Sequence, residues 1–277
     1  MDASQKETTA MTEEFEFETE ETGTVRYSRT GLRDRPTVML IPALGFNRSL
    51  WDVQVAALGR EYDVLAVDVL DQTQPRSAGF TPTFDALAAA AAAALRHAQA
   101  GPAHVVGLSF GSMIAQTLTL AQPPLVRSLT LIGSAATFPE AGRQAIRERA
   151  RLTREQGMVA VTPLHLKRWF TPEFTQRRPD VIERVTETLL ADDPAVHAAL
   201  WDMVSGLETM PRLPAITCPA LVIVGEEDTS TPPAAARSIA GTIAGARLET
   251  IPGASHITTL EAPETINALL RDFLFSC

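Results

Sequence analysis

Six short apolar runs, separated by helix-compatible stretches, constrain the fold of this chain more than any other feature. They are rich in valine, isoleucine and leucine and read, in chain order, TVMLIPAL, YDVLAVDV, AHVVGLS, SLTLIGSA, ALVIVGEED and RLETIPG. Continuous apolar runs of this length are typical of parallel strands covered on both faces. The helices predicted between and after them lie at roughly residues 50–58, 83–98, 111–122, 233–243 and 263–274. The pattern therefore predicts an α/β protein with a doubly wound parallel sheet.

Alternating residues before the first run predict two further strands. Phe15 and Phe17 alternate with glutamates, and Val25 and Tyr27 continue an alternating pattern after a Glu-Thr-Gly turn. Such a pattern indicates an antiparallel hairpin, which we place at the sheet edge. The sheet is then mostly parallel and eight-stranded, with helices on both faces. Residues 1–13 are acidic and without periodicity, and are predicted to be a flexible tail.

The alternation of strands and helices stops between residues 135 and 213. Four amphipathic segments with proline-containing breaks occupy this stretch. We interpret it as an inserted helical cap on a core made of residues 14–134 and 214–277. A cap above the carboxyl ends of the strands would cover the usual ligand site of an open parallel sheet.

Composition excludes several function classes. The formal net charge of −9 points away from nucleic acid and anionic membranes, because both require a concentrated basic face. The two cysteines form no metal-ligand pattern, and the acidic first residues lack the basic start and apolar core of a secretory signal. The alanine-rich run from Ala86 to Leu95 is too short to cross a bilayer. We expect a cytoplasmic protein that acts on a small molecule and needs no metal or other cofactor.

A serine lies between two glycines where the third apolar run gives way to a helix. The segment is HVVGLSFGSMIAQTL, with Gly107, Ser109 and Gly111 in a Gly-x-Ser-x-Gly pattern. A sharp strand-to-helix turn needs small neighbours, and it projects the serine hydroxyl from the top of the sheet. The N–H of Phe110 can then point at a developing oxyanion. The pattern alone is weak evidence for a nucleophile, because a serine without a catalytic role in a tight connecting turn would give the same sequence.

A nucleophilic serine also needs a base and an orienting carboxylate. His256 occupies a small-residue loop between the last strand and the last helix, which is where the base is expected. Asp228 falls farthest beyond the strand ALVIVGEED and is preferred to Glu226 and Glu227 as the carboxylate. For His97 and His104, in the core, we expect solvent-facing or capping roles. For His165 and His197, in the cap, we expect surface or packing roles, with lining of the pocket as the alternative.

With these residues in place, the chain resembles the α/β-hydrolase superfamily over residues 15–275. The segments that carry the resemblance are LIPALGFNRSLWDVQ, GLSFGS, RWFTPEF, PALVIVGEED and IPGASH. Within the superfamily it is similar to the branch of 3-oxoadipate enol-lactonases and small esterases. The resemblance implies a cofactor-free hydrolase with a Ser-His-Asp triad, in chain order Ser109, Asp228, His256, under a helical cap.

Two segments depart from the family pattern. Most relatives carry His-Gly where this chain has Pro42-Ala43, and by position Leu44 would supply the second N–H of the oxyanion hole. Residues 69–77, VLDQTQPRS, contain no glycine where relatives have a glycine-rich turn. This loop must therefore take a different shape.

The resemblance leads to a hypothesis of acyl transfer from an ester or lactone to water. Aromatic and apolar side chains that could line a pocket, or simply pack, are Phe46, Phe110, Trp169, Phe170, Trp201 and Met203. Lys167 and Arg168 could bind a substrate carboxylate or remain solvated. The alternatives are a C–C bond hydrolase or a secondary-metabolite tailoring enzyme on the same triad, and a non-catalytic ligand-binding protein.

Overall fold

A computed structural model describes residues 12–77 and 79–277, and eight strands in it form one sheet. The strands are β1 Glu13–Thr19, β2 Gly23–Gly31, β3 Thr37–Ile41, β4 Asp63–Asp68, β5 Ala103–Leu108, β6 Val126–Ile132, β7 Ala220–Gly225 and β8 Arg247–Ile251. Their spatial order is β1-β2-β4-β3-β5-β6-β7-β8. The mostly parallel eight-stranded sheet predicted from the sequence is confirmed.

The first two strands form the antiparallel edge of the sheet. Phe15 pairs with Tyr27 and Phe17 with Val25, and β2 in turn pairs antiparallel with β4. The rings of Phe15 and Tyr27 stack with 4.9 Å between their centroids. Of the predicted tail, residues 1–11 lie outside the described residues, and residue 13 already belongs to β1.

The parallel strands β3 to β8 lie between two layers of helices. Strands β3 to β7 are almost fully buried, whereas β8, at the edge of the sheet, is mostly exposed or partly exposed. Helices of the core are α1 Asp52–Leu58, α2 Phe84–His97, α3 Phe110–Ala121, α8 Pro233–Thr242, α9 Thr258–Glu261 and α10 Pro263–Phe275. Buried side chains of α2, α3 and α8 pack on one face of the sheet, and those of α1 and α10 on the other. The strand order reverses around β3, which lies between β4 and β5. In open α/β sheets, ligands bind at the carboxyl ends of the strands near such a reversal.

Four helices connect β6 to β7. They are α4 Glu140–Trp169, α5 Pro172–Arg177, α6 Pro179–Ala191 and α7 Pro194–Ser205. Helix α4 is kinked at Gly157, whose φ is +72°. An isolated bridge joins Thr137 to Glu208 at the base of this segment. The sequence predicted amphipathic helices between residues 135 and 213, and the structure has helices there. That these helices form a cap distinct from the core remains our interpretation.

Within residues 12–77 and 79–277, no helix combines the length and the apolarity that crossing a bilayer requires.

Candidate active site

Ser109 occupies the turn between β5 and α3. Its φ of +53° and ψ of −114° place its backbone in a region that residues other than glycine rarely adopt. A Cβ on Gly107 would lie 2.3 Å from the carbonyl oxygen of Gly111, and one on Gly111 would lie 2.1 Å from that of Ile41. The turn therefore requires both glycines because backbone passes directly against them.

Ser109, His256 and Asp228 are joined by two hydrogen bonds. Nε2 of His256 lies 2.8 Å from Oγ of Ser109, and Nδ1 of His256 lies 2.8 Å from Oδ2 of Asp228. His256 and Asp228 are buried, whereas Ser109 is partly exposed. The three residues come from the loops after β5, β8 and β7, so the carboxyl ends of three parallel strands bring them together.

The carboxylate of Asp228 is held by several donors. The backbone N–H groups of Ser230 and Thr231 donate to Oδ1 at 2.7 and 2.9 Å, and the Thr231 hydroxyl donates to Oδ2 at 2.8 Å. Burial alone would raise the pKa of Asp228, but the charge of His256 and these hydrogen bonds outweigh it and lower the pKa below its ordinary value. Asp228 is therefore ionised at neutral pH and can orient the imidazole of His256.

Two backbone N–H groups of residues that line the cavity beside Ser109 make no hydrogen bond within the described residues. They belong to Phe110, the first residue of α3, and to Leu44 in the loop after β3. Neither N–H donates a hydrogen bond to any residue in the described part of the chain. Leu44, Phe110, Ser109 and His256 line the same cavity.

Gln72, in the glycine-free loop, holds the turn that carries Leu44. Its Oε1 accepts from the N–H of Gly45 at 3.0 Å, and its Nε2 donates to the carbonyl oxygen of Phe46 at 2.8 Å. The carbonyl oxygen of Gln72 accepts from the N–H of Asp193 at 3.0 Å. The loop thus connects the Leu44 turn to α7. The absence of glycine from this loop is visible in the sequence, whereas the role of the Gln72 side chain depends on tertiary contacts that the sequence does not show.

The cavity at Ser109 is small, with a volume of about 110 Å³, compared with about 300–1,000 Å³ for most small-molecule sites. Its wall contains Leu44, Ser109, Phe110, Met113, Phe138, Gly142, Ala145, Ile146, Arg149, Arg168, Trp169, Trp201, Val204, Ser230, Thr231 and His256. Most of these side chains are apolar. The charged side chains are the guanidinium groups of Arg149 and Arg168.

Not all the proposed pocket residues lie in this wall. Trp169 and Trp201 line the cavity, whereas Phe46 and Phe170 do not. The ring of Phe46 packs on Trp169, with 5.6 Å between centroids, and that of Phe170 stacks on Phe174 at 5.4 Å. These two phenylalanines therefore contribute to packing. Met203 and the exposed Lys167 are likewise absent from the wall.

A buried histidine pair lies behind the two tryptophans. Nδ1 of His197 is 2.8 Å from Oδ2 of Asp192, and its Nε2 is 3.3 Å from Nε2 of His165. The His165 ring stacks between Trp169 and Trp201, at centroid distances of 4.8 and 5.6 Å. Burial, together with the charges of His197 and nearby arginines, lowers the pKa of His165 well below its usual value. Both histidines are buried and pack between helices, and neither lines the cavity at Ser109.

The histidines of the core also differ from each other. His104 was expected to be solvent-facing or capping, but this is wrong: it is buried on β5, with Nδ1 2.7 Å from Oγ of Ser128. A central strand between β3 and β6 leaves neither of its faces to solvent. His97 is exposed at the end of α2, and its Nδ1 lies 2.9 Å from the hydroxyl of Tyr27.

Comparisons with known proteins agree with this fold. The model of the alpha/beta hydrolase family matches residues 38–269. The chain is 31% identical over 247 residues to 3-oxoadipate enol-lactonase 2 of Acinetobacter baylyi, which covers 88% of this chain and 90% of the relative. Among solved structures it resembles a hydrolase from Pseudomonas aeruginosa PA01, with a TM-score of 0.88, 27% identity and coverage of 94% and 98% of the two chains.

A second solved structure, the enol-lactonase from Burkholderia xenovorans LB400, matches with a TM-score of 0.87 and 28% identity, covering 94% of this chain and all of the other. The chain belongs to the alpha/beta hydrolase family, and it is an enzyme of the hydrolase class. The resemblance stated from the sequence motifs is confirmed.

Proposed function

We propose that this protein is a serine hydrolase that cleaves an ester or lactone through an acyl-enzyme intermediate. The observation that carries the proposal is the hydrogen-bonded series Ser109, His256 and Asp228, with 2.8 Å at each link, opening on a cavity. Nucleophile, base and orienting carboxylate within hydrogen-bond reach are the requirement for activating a serine. The names of the enol-lactonase relatives support ester and lactone bonds as the substrate class.

In the first half of the reaction, Oγ of Ser109 attacks the carbonyl carbon of the substrate. Nε2 of His256 accepts the hydroxyl proton and then returns it to the leaving oxygen. In a lactone that oxygen stays attached to the acyl group through the opened ring. Asp228 keeps the proton of His256 on Nδ1 and stabilises the imidazolium that forms.

The N–H groups of Leu44 and Phe110 stabilise the negative oxygen of the tetrahedral intermediate. Such donors are fixed in place before the reaction, so they need no reorganisation when charge develops. In the second half, His256 removes a proton from water, whose oxygen attacks the acyl carbon. The bond between that carbon and Oγ of Ser109 then breaks as His256 gives the proton to Oγ, which restores the free enzyme. The glycine-free loop contributes by holding the Leu44 turn through Gln72.

A fluorophosphonate probe tests this proposal. The purified protein is labelled, the modified peptide is mapped by mass spectrometry, and hydrolysis of a 4-nitrophenyl ester is followed. We expect an adduct on Ser109 that is lost in Ser109→Ala and in His256→Ala. Ser238→Ala, a change at an exposed serine of α8, should label like the wild type.

A well-folded protein without adduct or turnover would contradict the proposal and indicate a ligand-binding role. In that case a ligand should stabilise the wild type and Ser109→Ala equally. If the adduct forms, a panel of esters, enol-lactones and vinylogous diketones distinguishes ester cleavage from C–C bond cleavage.

A further inference from the structure

Glu261 binds two segments of the site, although no step of the proposed reaction uses it. It is the last residue of α9 and follows His256 by five positions. Its Oε1 accepts hydrogen bonds from the backbone N–H and the hydroxyl of Thr171, at 2.8 and 3.0 Å, and its Oε2 accepts from the backbone N–H of Ser255 at 2.6 Å. Ser255 directly precedes His256, and Thr171 follows the cavity residue Trp169 by two positions. One carboxylate therefore joins the loop of the base to the end of α4.

The hydrogen-bond partners of Glu261 are neutral, and its carboxylate forms no ion pair with a described residue. Burial raises the pKa of Glu261, while the hydrogen bonds from Thr171 and Ser255 act in the opposite direction. Both oxygens accept hydrogen bonds, as expected of an ionised carboxylate. Withdrawing a carboxylate from water without a cation beside it is unfavourable for stability. The segments that Glu261 joins are therefore the better guide to its role.

The loop between β8 and α9 is held by hydrogen bonds from its backbone N–H groups. Those of His256 and of the next residue donate to the carbonyl oxygen of Trp169, at 3.1 and 3.2 Å. The N–H of Gly253, farther from the base, donates to the exposed carboxylate of Glu226 at 3.2 Å. The loop is thus joined to the end of α4 directly through Trp169 and also through the side chain of Glu261. Of these two links, the one through Glu261 is made by a side chain, so a substitution can remove it.

The imidazole of His256 must stay within hydrogen-bond distance of two groups. Its Nε2 lies 2.8 Å from Oγ of Ser109, and its Nδ1 lies 2.8 Å from Oδ2 of Asp228. The ring turns about only two side-chain bonds, so a shift of the loop backbone moves it away from at least one of these partners. A misplacement of about 1 Å at the site can lower a rate by about 10²-fold. The proton transfers of His256 are therefore sensitive to how firmly its loop is held.

We propose that Glu261 is a positioning residue of this enzyme, and that its carboxylate fixes the loop of His256 against the segment after α4. The imidazole is thereby held between Ser109 and Asp228, beside the tryptophan wall of the cavity. Glu261 itself does not line the cavity, so it acts through His256 and not on the substrate. This inference rests on the proposed hydrolase function and adds to it a residue on which the rate depends.

Glu261→Gln tests this role. The amide keeps the size of the side chain, but in either orientation its NH2 group faces one of the two backbone N–H groups. We expect kcat for 4-nitrophenyl acetate, expressed per folded protein by circular dichroism, to fall by about 10- to 100-fold, with KM changed less than about threefold. Glu261→Asp keeps the charge but is one methylene shorter, so it cannot bind both segments and should also lower kcat. Glu264→Gln, at an exposed carboxylate of α10, is the matched control and should leave kcat within about twofold.

A second measurement separates positioning of the base from a general loss of structure. In the His256→Ala background the base is absent, and the residual activity comes from the oxyanion donors and from binding. Glu261→Gln should change that residual activity less than about twofold, because it acts only through the imidazole. An equal loss in both backgrounds, or no loss in the wild-type background, would overturn the positioning role while leaving the hydrolase proposal intact. If Glu261→Gln is insoluble, Glu261→Asp takes its place in the same comparison.

Failure of the hydrolase proposal is recognised separately, by a wild type that neither reacts with the fluorophosphonate nor cleaves the ester. The position of the imidazole is then followed by proton NMR. The Nδ1 proton that His256 donates to Asp228 is strongly deshielded, and its resonance is assigned by its loss in His256→Ala. Glu261→Gln should shift or broaden this resonance, while Glu264→Gln leaves it in place. A resonance that Glu261→Gln does not affect would reject the positioning role.

Discussion

At the scale of single residues, the choice of Asp228 over its two neighbours can be tested directly. Asp228→Asn keeps the size of the side chain but no longer stabilises the correct tautomer and the cation of His256. We expect kcat for a neutral 4-nitrophenyl ester to fall by about 10³- to 10⁴-fold with the fold intact. Glu227→Gln, at an exposed carboxylate one residue earlier, should leave kcat within about twofold. Equal losses in both variants would contradict the assignment.

Gln72 provides a second test, this time of a positioning residue. Gln72→Ala removes both side-chain hydrogen bonds to the Leu44 turn. Removing an oxyanion donor altogether lowers kcat by about 10²–10³-fold, so a donor that is only loosened should lower kcat by about tenfold. KM should change little because the hole binds the transition state more strongly than the ground state. Gln122→Ala, at an exposed glutamine, is the control; a change confined to KM would argue against this role.

At the scale of elements, the strand-to-helix turn at Ser109 depends on the absence of a methyl group at Gly111. Gly111→Ala would place a Cβ 2.1 Å from the carbonyl oxygen of Ile41, and we expect a loss of about 3 kcal/mol or more in the free energy of unfolding. Gly241→Ala is the matched control, because nothing lies within 4 Å of its Cβ in α8. It should stabilise the protein by about 0.5–1 kcal/mol. Urea unfolding of both variants provides the comparison.

Strands and core helices were predictable from the sequence because their signals are local. The run TVMLIPAL becomes β3, fully buried, and the segment after Ser109 becomes α3. Ser109 and His256 could also be proposed from the sequence, because each lies in a loop directly after a predicted strand and their order along the chain matches that of the family. Arg149 was not. Its contact with Trp201 joins residues far apart in sequence and depends on how α4 packs against α7, which no local pattern specifies.

The histidine pair shows the same limit between elements. His165 lies beyond the kink at Gly157, and His197 lies on another helix. Each sequence segment indicates an amphipathic helix, but neither indicates which side chains meet. Burial of polar residues by packing between helices is a tertiary property, and the apolar period does not encode it.

At the scale of the whole molecule, the sheet and the segment between β6 and β7 contribute different parts of the cavity. Loops after the strands supply Ser109 and His256, while α4 and α7 supply Arg149 and Trp201. The loop after β8 and the end of α4 are joined at the site itself, since the backbone N–H of His256 donates to the carbonyl oxygen of Trp169 at 3.1 Å. Substitutions in α4 and α7 should therefore alter substrate preference, while those in the strand loops alter the reaction itself.

Global stability should depend on pH through histidines that fold in their neutral form. Burial first, and then the charge of Arg127, lower the pKa of His104 to about 4, while an unfolded histidine titrates near 6.5. Between these values the unfolded chain binds more protons than the folded one, so stability is complete above about pH 6.5 and falls as the pH decreases. His165 contributes with the same sign. Raised carboxylate pKa values at Asp68 and Glu261 act in the opposite direction, so total stability alone does not isolate the effect of His104.

Comparison of the wild type with His104→Gln isolates that effect. Glutamine does not titrate, and its amide can replace the hydrogen bond to Ser128. Urea unfolding at pH 7.5 and pH 5.0 should show that the wild type loses about 2 kcal/mol more between the two conditions than the variant does. Any packing defect of the substitution is present at both pH values and cancels in this difference. Equal losses in the two proteins would mean that the pKa of His104 does not differ between the folded and the unfolded chain. The acid sensitivity would then originate elsewhere in the molecule.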